Sequence, residues 1–583
     1  MPRRIGGNQS ATVIPAVEPQ KLPWQKILVE ENYLTEKDIT NAEAYAKLHH
    51  ADSLDFLFSE GLITKDLFGQ AVAEFYKLSY ADLNSHQPVK EQVLKIPEAL
   101  AKNQRVILFR EEKDKVTLTT DRPDQTISEE IKKLFPKKKI VLAYSVTEDI
   151  EVALVNYRKT LDTRFAKILA EKGRMASEMI EEIIGDALSF RASDIHFDPQ
   201  ETEVVIRFRI DGVLQEAGRL PKEFYENILN RIKVLSRLRT DEHFSAQDGA
   251  IRYKNQGQAV DMRVSVVPIL DGEKVVIRLL SEYVRRFTLG DLGFSEAQQK
   301  QVVISSEKPF GMILVIGPTG SGKSTTLYAL LKMLNSPELN IATIEDPVEY
   351  KIVGVNHIQV NTQTNLTFAK GLRSIVRQDP DIILVGEIRD QETAEIAVNA
   401  ALTGHLLLST FHANDAATAI PRLLDMGVEP FLLSSTLELL IAQRLARRIC
   451  ENCRYSLVVD QTEMKKNFPS VAKFFPPSLT LYRGKGCQAC NNTGYKGRVA
   501  IFEFIRATPE LQDLILRNPS ARNIWELASL QGAKTLFFDG LEKVKTGVTT
   551  LEELLRVAAP PEETEIEKAG NDKILNNKKN KTS

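Results

Sequence analysis

The sequence predicts an α/β fold, and three observations in its second half support this. Strand-like and helix-like segments alternate from about residue 290 to 450, which is typical of a sheet with helices packed against it. Short apolar runs at residues 312–316 and 382–385 have the length of buried strands. A glycine-rich loop lies between the first of these runs and a helical pattern at Lys323–Leu334. We therefore expect an α/β domain arranged around that loop.

The loop at residues 317–324 reads Gly-Pro-Thr-Gly-Ser-Gly-Lys-Ser and fits the P-loop pattern G-x-x-x-x-G-K-[S/T]. Its glycines let backbone N–H groups surround phosphate oxygens, and the next helix directs the positive end of its dipole at the same anion. Lys323 is placed to reach the β- and γ-phosphates, and Ser324 to bind Mg²⁺. The predicted nucleotide contacts are Gly317, Pro318, Thr319, Gly320, Ser321, Gly322, Lys323, Ser324 and Thr325. The loop thus predicts ATP and Mg²⁺ as cofactors.

Carboxylates follow two of the strand patterns. Glu387 comes shortly after residues 382–385, where it could bind the water shell of Mg²⁺ or orient an attacking water. Glu345, Asp346 and Glu349 follow another apolar run and suit the handling of metal and water. The alternatives are a surface glutamate after a core strand and a solvated acidic turn.

Two histidines, His405 and His412, flank a strand pattern at residues 406–410. A histidine at this position could sense the γ-phosphate. A lone histidine is more often structural, so the prediction depends on the motifs around it.

The four cysteines form two C-x-x-C pairs, Cys450 with Cys453 and Cys487 with Cys490, separated by 33 residues. Two such pairs can present four thiolates tetrahedrally to Zn²⁺. Four thiolates leave no open position on the metal, so we expect a structural site. The alternative is two redox-silent buried pairs.

The N-terminal half contains a possible repeat. Residues 27–35 are echoed 29 positions later at 56–64, and each copy predicts a helix, a turn and a threonine N-cap. Two stacked helical hairpins are the expected structure, with two unrelated helical stretches as the alternative. Strand patterns follow at residues 106–109, 116–119 and 203–210.

The overall composition is that of an ordinary globular protein. The chain has 583 residues, a formal net charge of −2, 43% hydrophobic and 26% charged residues. The balanced charge gives no reason to expect a nucleic-acid partner. We see no signal peptide and no run of 18 apolar residues, and four cysteines do not indicate a secreted disulfide framework. We therefore expect a cytoplasmic protein.

Together these motifs make the chain resemble the secretion-superfamily ATPases, the motors of type II secretion and type IV pilus assembly. The P-loop and residues 345–350, 386–390 and 402–412 match the Walker A, Asp-box, Walker B and His-box motifs of that family, in that order. Segments 192–196, 207–212 and 272–278 match as well, and the resemblance covers about residues 25–560.

The resemblance implies a PAS-like domain before a RecA-like motor domain, assembled as a homo-hexamer with ATP between subunits. It implies that Arg263 and Arg278 are arginine fingers and that Glu349 is the general base. It also places further arginines at the site, namely Arg373, Arg377, Arg389 and Arg498, any one of which alone could instead be a surface salt-bridge residue. Arg373 and Arg377 are four residues apart, which predicts that they lie on one face of a helix. Assembly and secretion motors of this family carry a zinc knuckle of the kind predicted here.

The expected domains are a disordered tail (1–22), a helical and α+β module for partner docking (23–157), a PAS-like domain (158–285), a RecA-like core (286–449), a zinc knuckle (450–500), a C-terminal helical part (501–560) and a disordered tail (561–583). In some relatives the N-terminal module binds cyclic di-GMP through Arg-Leu-Gly. Residues 24–26 and 53–55 depart from that motif, so we expect the helices without that ligand.

The predicted function is that of a hexameric ATPase whose hydrolysis of ATP drives assembly of a type IV pilus or a type II secretion pseudopilus. It would act through an inner-membrane platform protein and reach the membrane only through partners. Two alternatives share the ATP site: a DNA-translocating P-loop ATPase, and a scaffold that binds nucleotide without hydrolysing it. DNA stimulation of the ATPase would reveal the first, and tight binding without phosphate release the second.

Overall fold

The computed structural model describes residues 23–49, 53–59, 62–83, 86, 88–157, 165, 175–255, 258–280, 287–476 and 478–561. The tail predicted at 1–22, and all but the first residue of the tail predicted at 561–583, lie outside these ranges. Within them, no helix has the length and hydropathy needed to cross a membrane.

The first described segment consists of four helices, α1 (Trp24–Glu30), α2 (Glu36–His49), α3 (Ser53–Ser59) and α4 (Lys65–Phe75). Helix α1 packs on α4 and α2 on α3, so the main helix contacts join one copy of the repeat to the other, whereas a separate hairpin within each copy was expected. Thr35 and Thr64 cap the second helix of each copy, accepting hydrogen bonds from the backbone of Asp38 (3.2 Å) and Leu67 (3.2 Å). The predicted N-caps are therefore confirmed.

A small α/β module follows. Its sheet has the order β1-β4-β3-β2. The strands are β1 (Ser79–Tyr80), β2 (Val106–Glu111), β3 (Lys115–Thr120) and β4 (Lys139–Tyr144), and the helices are α5 (Lys90–Val93), α6 (Glu98–Gln104), α7 (Glu129–Leu134) and α8 (Thr147–Leu154). Strands β2 and β3 include the patterns predicted at 106–109 and 116–119.

The next domain is an antiparallel sheet of six strands in the order β7-β6-β5-β10-β9-β8. The strands are β5 (Asp194–Pro199), β6 (Glu203–Ile210), β7 (Val213–Pro221), β8 (Gln247–Asn255), β9 (Gln258–Ile269) and β10 (Gly272–Leu280). Helices α9 (Met175–Ser189) and α10 (Lys222–Leu235) contribute to one hydrophobic core with the apolar face of the sheet. The opposite face carries Asp194, His196 and Asp198 of β5, because alternate residues of a strand point to opposite sides.

A seven-stranded sheet contains the P-loop and has the order β13-β12-β14-β15-β11-β16-β19. The strands are β11 (Gly311–Ile316), β12 (Ile341–Glu345), β13 (Val355–Gln359), β14 (Ile382–Val385), β15 (Leu406–Phe411), β16 (Leu437–Ile449) and β19 (Tyr495–Arg506). Six strands are parallel, and β19 runs antiparallel to β16. The carboxyl ends of the parallel strands meet at one edge, where ligands bind in open α/β sheets.

Helices cover both faces of this sheet. They are α11 (Leu289–Leu292), α12 (Glu296–Ser306), α13 (Lys323–Leu334), α14 (Phe368–Ile375), α15 (Gln391–Leu402), α16 (Ala416–Asp425) and α17 (Pro430–Thr436). Strand β11 is buried on both sides, with Met312, Leu314 and Ile316 in one core and Ile313 and Val315 in the other. This explains why its sequence is continuously apolar instead of alternating.

The cysteine segment is an excursion between β16 and β19. It contains the hairpin β17 (Arg454–Asp460) and β18 (Ser478–Gly484) and the helix α18 (Gln461–Asn467). Strand β19 then returns to the main sheet, so residues 501–506 are strand, and the expectation of a helical part from 501 differs from the structure there. Four helices follow: α19 (Pro509–Ile515), α20 (Ala521–Leu530), α21 (Leu536–Lys545) and α22 (Leu551–Val557).

Candidate nucleotide site and cysteine cluster

The P-loop connects β11 to α13 as the sequence predicts. Gly320 and Gly322 have φ of +79° and +88°, the left-handed region that favours glycine. A Cβ at Gly322 would lie 2.8 Å from the Gln443 side chain, so that position also needs glycine for space. The Nζ of Lys323 donates to the carbonyls of Gly317 (2.9 Å) and Pro318 (3.1 Å), which holds the ammonium inside the loop.

Gln443 supports the loop from beneath. Its side-chain amide donates to Ser321 O (2.8 Å) and accepts from Thr326 Oγ1 (2.7 Å), and the residue is fully buried on β16. Sequence reasoning missed Gln443, which lies more than one hundred residues from the motif. The available signal was an uncharged polar residue following an apolar run in the strand.

Glu387 faces the P-loop from the neighbouring part of the sheet edge. Its carboxylate forms an ion pair with Arg389, and one of its oxygens lies 3.3 Å from His412 Nε2. Burial lowers the pKa of Lys323, while the negative charge of Glu387 opposes that shift and the positive charge of Arg444 adds to it. The structure therefore places Lys323, Glu387, Arg389 and His412 close together at one edge of the sheet.

Glu345 is placed differently from its sequence neighbours. It is buried at the end of β12, where its carboxylate accepts from Tyr328 Oη (2.5 Å) and Thr343 Oγ1 (2.6 Å) and contacts His357 Nδ1 (3.0 Å). Protein groups occupy both carboxylate oxygens. Asp346 follows it in a cis peptide with Pro347 and is exposed.

Glu349 lies beside an arginine of the six-stranded sheet. Its Oε2 is 3.8 Å from Arg263 Nη2, and the same nitrogen donates to Val348 O at 3.3 Å. Burial raises the pKa of Glu349, and the positive charges of Arg263 and Arg278 partly oppose this. A carboxylate with a raised pKa is a stronger base than an ordinary glutamate, which suits it to accept a proton.

Arg263 and Arg278 stand directly opposite each other on β9 and β10. Like charges in that arrangement repel, so each needs a counter-charge. Arg278 Nε donates to Asp194 Oδ1 at 3.0 Å, and Arg263 faces Glu349. Arg263 thus contacts the Glu349 carboxylate of its own chain, and the charge of Arg278 also acts on that carboxylate.

The other predicted residues lie in separate contacts. His405 Nδ1 is 2.8 Å from Ala400 O. Arg373 pairs with Glu392 at 2.8 Å. Arg377 lies in a 3-10 turn beyond the end of α14, so it does not continue the helical face of Arg373. Arg498 is exposed on β19, and in the P-loop Ser324 is exposed and Thr325 half-buried.

The four cysteines form one cluster, with all sulfur atoms within 4.8 Å of one another. The sulfur separations are 3.7 Å for Cys450–Cys487, 3.9 Å for Cys453–Cys490 and 3.7 Å for Cys487–Cys490. Four sulfurs at about 2.3 Å from a tetrahedral Zn²⁺ are separated by about 3.8 Å, so the donor set fits that ion. The backbone N–H groups of Cys487 and Gly494 point at Cys490 Sγ, at 3.2 and 3.3 Å, and favour its thiolate.

A family model described as "type II/IV secretion system protein" matches residues 170–556 of this chain. The chain belongs to this family. A second model, that of the MshEN domain, matches residues 76–164, which contain the small α/β module and begin after the helical repeat. The secretion family therefore accounts for the six-stranded and seven-stranded sheets, and the MshEN domain for the four-stranded one.

Several members of the secretion family are similar to this chain over long stretches of sequence. The "type IV pilus assembly ATPase PilB" of Thermus thermophilus is 39% identical over 521 residues, covering 86% of this chain and 58% of that protein. The "type II secretion system protein E" of Pseudomonas aeruginosa is 47% identical over 379 residues, covering 65% of this chain and 74% of that protein. Among solved structures, the "pilus retraction motor PilT" with bound ADP is 27% identical, covers 66% of this chain and 97% of that one, and has a TM-score of 0.46.

These comparisons confirm the family that the motifs predicted, and with it the prediction of an ATPase at the level of the family. The α/β class is confirmed by the sheet itself. The PAS-like and RecA-like assignments, the domain boundaries and the roles of individual site residues remain predictions.

Proposed function

We propose that the chain is a motor ATPase that hydrolyses ATP to drive assembly of a type IV pilus or a type II secretion pseudopilus. The observation that carries the proposal is the arrangement of Lys323 in an intact P-loop with Glu387 facing it across the carboxyl edge of the sheet. Relatives named for both machines share the same stretch of sequence, so both filaments remain within the proposal.

The residues divide the chemistry of hydrolysis between them. Lys323 now donates to two P-loop carbonyls, and a β- or γ-phosphate oxygen would replace them as its partner. Ser324 would hold Mg²⁺, which neutralises charge on the phosphates. Glu387, already paired with Arg389 and His412, would fix the water and metal shell at the γ-phosphate.

Glu349 would act as general base, taking a proton from the attacking water. Its raised pKa favours that role, because a stronger base accepts the proton more readily. Arg263 and Arg278 would stabilise charge on the transferring phosphoryl group, since the planar guanidinium matches phosphate oxygens. In a ring, these arginines would contact the ATP of a neighbouring subunit. The six-stranded sheet would then have to move relative to the P-loop, so that the arginines leave Glu349 and bind phosphate.

The remainder of the proposal concerns assembly and location. Six copies would form a ring that moves the N-terminal domains against the motor domains and acts on an inner-membrane platform protein from the cytoplasmic side. The cysteine cluster would hold a structural Zn²⁺, which fits the sulfur separations.

The proposal is tested by replacing the chromosomal gene with a Lys323→Ala allele in the source organism. Surface filaments, or secretion of the exported proteins, should be lost while the protein level stays normal, because ammonium contact with phosphate is lost. Arg522→Ala is the matched control, since Arg522 is exposed on α20 and pairs with Glu526 at 3.2 Å. Normal filaments and normal secretion in the Lys323→Ala strain would contradict the proposal.

A further inference from the structure

A cavity of about 240 Å³ adjoins the P-loop on its outer side. Its lining residues are Pro318, Thr319, Gly320 and Ser321 of the loop, Arg444 and Leu445 of β16, and Arg556 and Val557 of α22. The last described helix of the chain therefore closes one wall of a space that begins at the P-loop.

The sheet order shows which end of a nucleotide this cavity would receive. Glu387 and His412 follow β14 and β15, which lie on one side of β11, whereas the cavity lies beside β16 on the other side. Terminal phosphates held by Lys323 next to Glu387 leave the base directed away from Glu387. The cavity is thus on the base side of the site.

The chemistry of the lining suits a flat aromatic ring. Arg444 and Arg556 supply guanidinium planes, which stack on ring faces, and Leu445 and Val557 supply aliphatic walls. Arg444 is fixed by its own contacts, donating to Gln443 O (3.3 Å) and Asn414 O (2.8 Å).

Arg556 is held in place before any ligand binds. Its Nε and Nη2 donate to the two oxygens of Glu553, at 3.0 and 2.8 Å, and Glu553 is only 2% exposed. The same carboxylate binds Arg447 Nη2 at 2.5 Å, and Arg447 lies over the Tyr495 ring at 4.1 Å. One carboxylate between two arginines leaves a net positive charge at the cavity wall.

We propose that Arg556, together with Arg444, Leu445 and Val557, binds the purine base of the nucleotide. Helix α22 is then part of the nucleotide site of its own chain. The inference rests on the proposed function, because it takes ATP as the ligand of the P-loop.

The test compares ATP with inorganic tripolyphosphate, which has the phosphates and lacks the base. In Arg556→Ala, the KM for ATP should rise about 10-fold, in the range that stacking on a base contributes, while kcat stays within about twofold. The inhibition constant of tripolyphosphate should not change. Arg522→Ala is the control and should leave all three constants at wild-type values.

Arg556→Lys guards against a folding defect. It keeps a cation for Glu553 without the two-oxygen contact, so its thermal midpoint should fall less than that of Arg556→Ala, while the KM for ATP stays raised because the planar group is gone. An unchanged KM in both variants, or equal weakening of ATP and tripolyphosphate, would overturn the base-binding proposal. Absence of phosphate release by the wild-type protein would instead be a failure of the proposed function.

Discussion

At the scale of single residues, Glu349 combines a raised pKa with a neighbouring positive charge. Burial disfavours its ionised form, and Arg263 at 3.8 Å favours it. A general base works only when ionised, so kcat should fall as the pH drops through the pKa of this carboxyl. The pH at which kcat falls should be higher than for an ordinary glutamate, whose pKa is about 4.3.

Arg263→Gln should move the acid limb of the kcat/KM profile to higher pH, because the charge that lowers the pKa of Glu349 in the protein without ATP is removed. The measurement is kcat/KM from pH 5 to 9 in wild type and variant. Arg252→Gln is the control, since Arg252 is exposed on the neighbouring strand and faces Asp261 at 3.6 Å. An acid limb unmoved in Arg263→Gln would show that Glu349 does not set it.

Glu503 is a second carboxylate whose burial has a measurable consequence. It lies on β19 and accepts from the backbone of Ala416 at the start of α16 (2.8 Å), and burial raises its pKa to about 7. The folded state therefore holds a proton between about pH 4.5 and 7 that the unfolded chain releases. Stability from this group is present at low pH and is lost as the pH rises through 7.

Glu503→Gln should keep the hydrogen bond from Ala416 without the ionisation. The variant should be more stable than wild type at pH 8, by on the order of 3 kcal/mol, and close to it at pH 4, below the pKa of the unfolded chain. Thermal midpoints at the two pH values measure this, with the exposed Glu296→Gln as control. Equal midpoints for wild type and Glu503→Gln at pH 8 would contradict the assignment.

At the scale of elements, the cysteine segment is connected to the cavity beside the P-loop. Cys450 N donates to Gly494 O (2.9 Å), and the adjacent Tyr495 packs on Arg447, which pairs with Glu553 of α22. The hairpin β17–β18 is attached to the same cysteine cluster. A metal at the cysteines would therefore order α22 as well as the hairpin.

The purified protein should contain about one Zn²⁺ per chain, and Cys490→Ser should lose it. The thermal midpoint should fall by roughly 5 °C or more, because the metal contributes folding free energy. Metal content is measured by mass spectrometry and the midpoint by calorimetry. A wild-type protein free of zinc, or a Cys490→Ser protein of unchanged midpoint, would contradict the structural role.

The sequence predicted the elements that are local in the chain. The β11–P-loop–α13 unit follows from one contiguous motif, and β6 and β14 were predicted to the residue. Gln443 and Arg556 were not found, because only the pairing of β11 with β16 and the return of the chain after β19 bring them to the loop. Strand β19 was missed for the same reason, since its partner β16 lies beyond the cysteine excursion.

At the scale of the whole molecule, the six-stranded domain is docked on the motor domain. Asp211 accepts from Gly497 N at 2.8 Å, and Arg263 donates to Val348 O. These contacts hold Arg263 at Glu349 of the same chain, with Arg278 opposite Arg263 on the neighbouring strand. If the arginines serve a neighbouring subunit during turnover, the docking must rearrange when the ring assembles.

The molecular mass of the particle in solution should show whether the ring forms. With Mg²⁺ and a non-hydrolysable ATP analogue, light scattering should give about 390 kDa, six times the 65.5 kDa chain. Nucleotide bound between subunits would make assembly depend on the analogue. A 65.5 kDa particle at a concentration where hydrolysis is fully active would contradict the hexamer.

In the proposed reaction, the P-loop and Glu387 together hydrolyse ATP. Steady-state phosphate release tests it most directly, comparing wild type with Lys323→Ala, Glu387→Ala and the Arg522→Ala control. We predict that the rate falls at least about 100-fold in the first two variants. Without Lys323 the phosphate charge is not neutralised, and without Glu387 the water and metal shell is not held in place. The control should keep the wild-type rate. Turnover retained in both Lys323→Ala and Glu387→Ala would contradict the account.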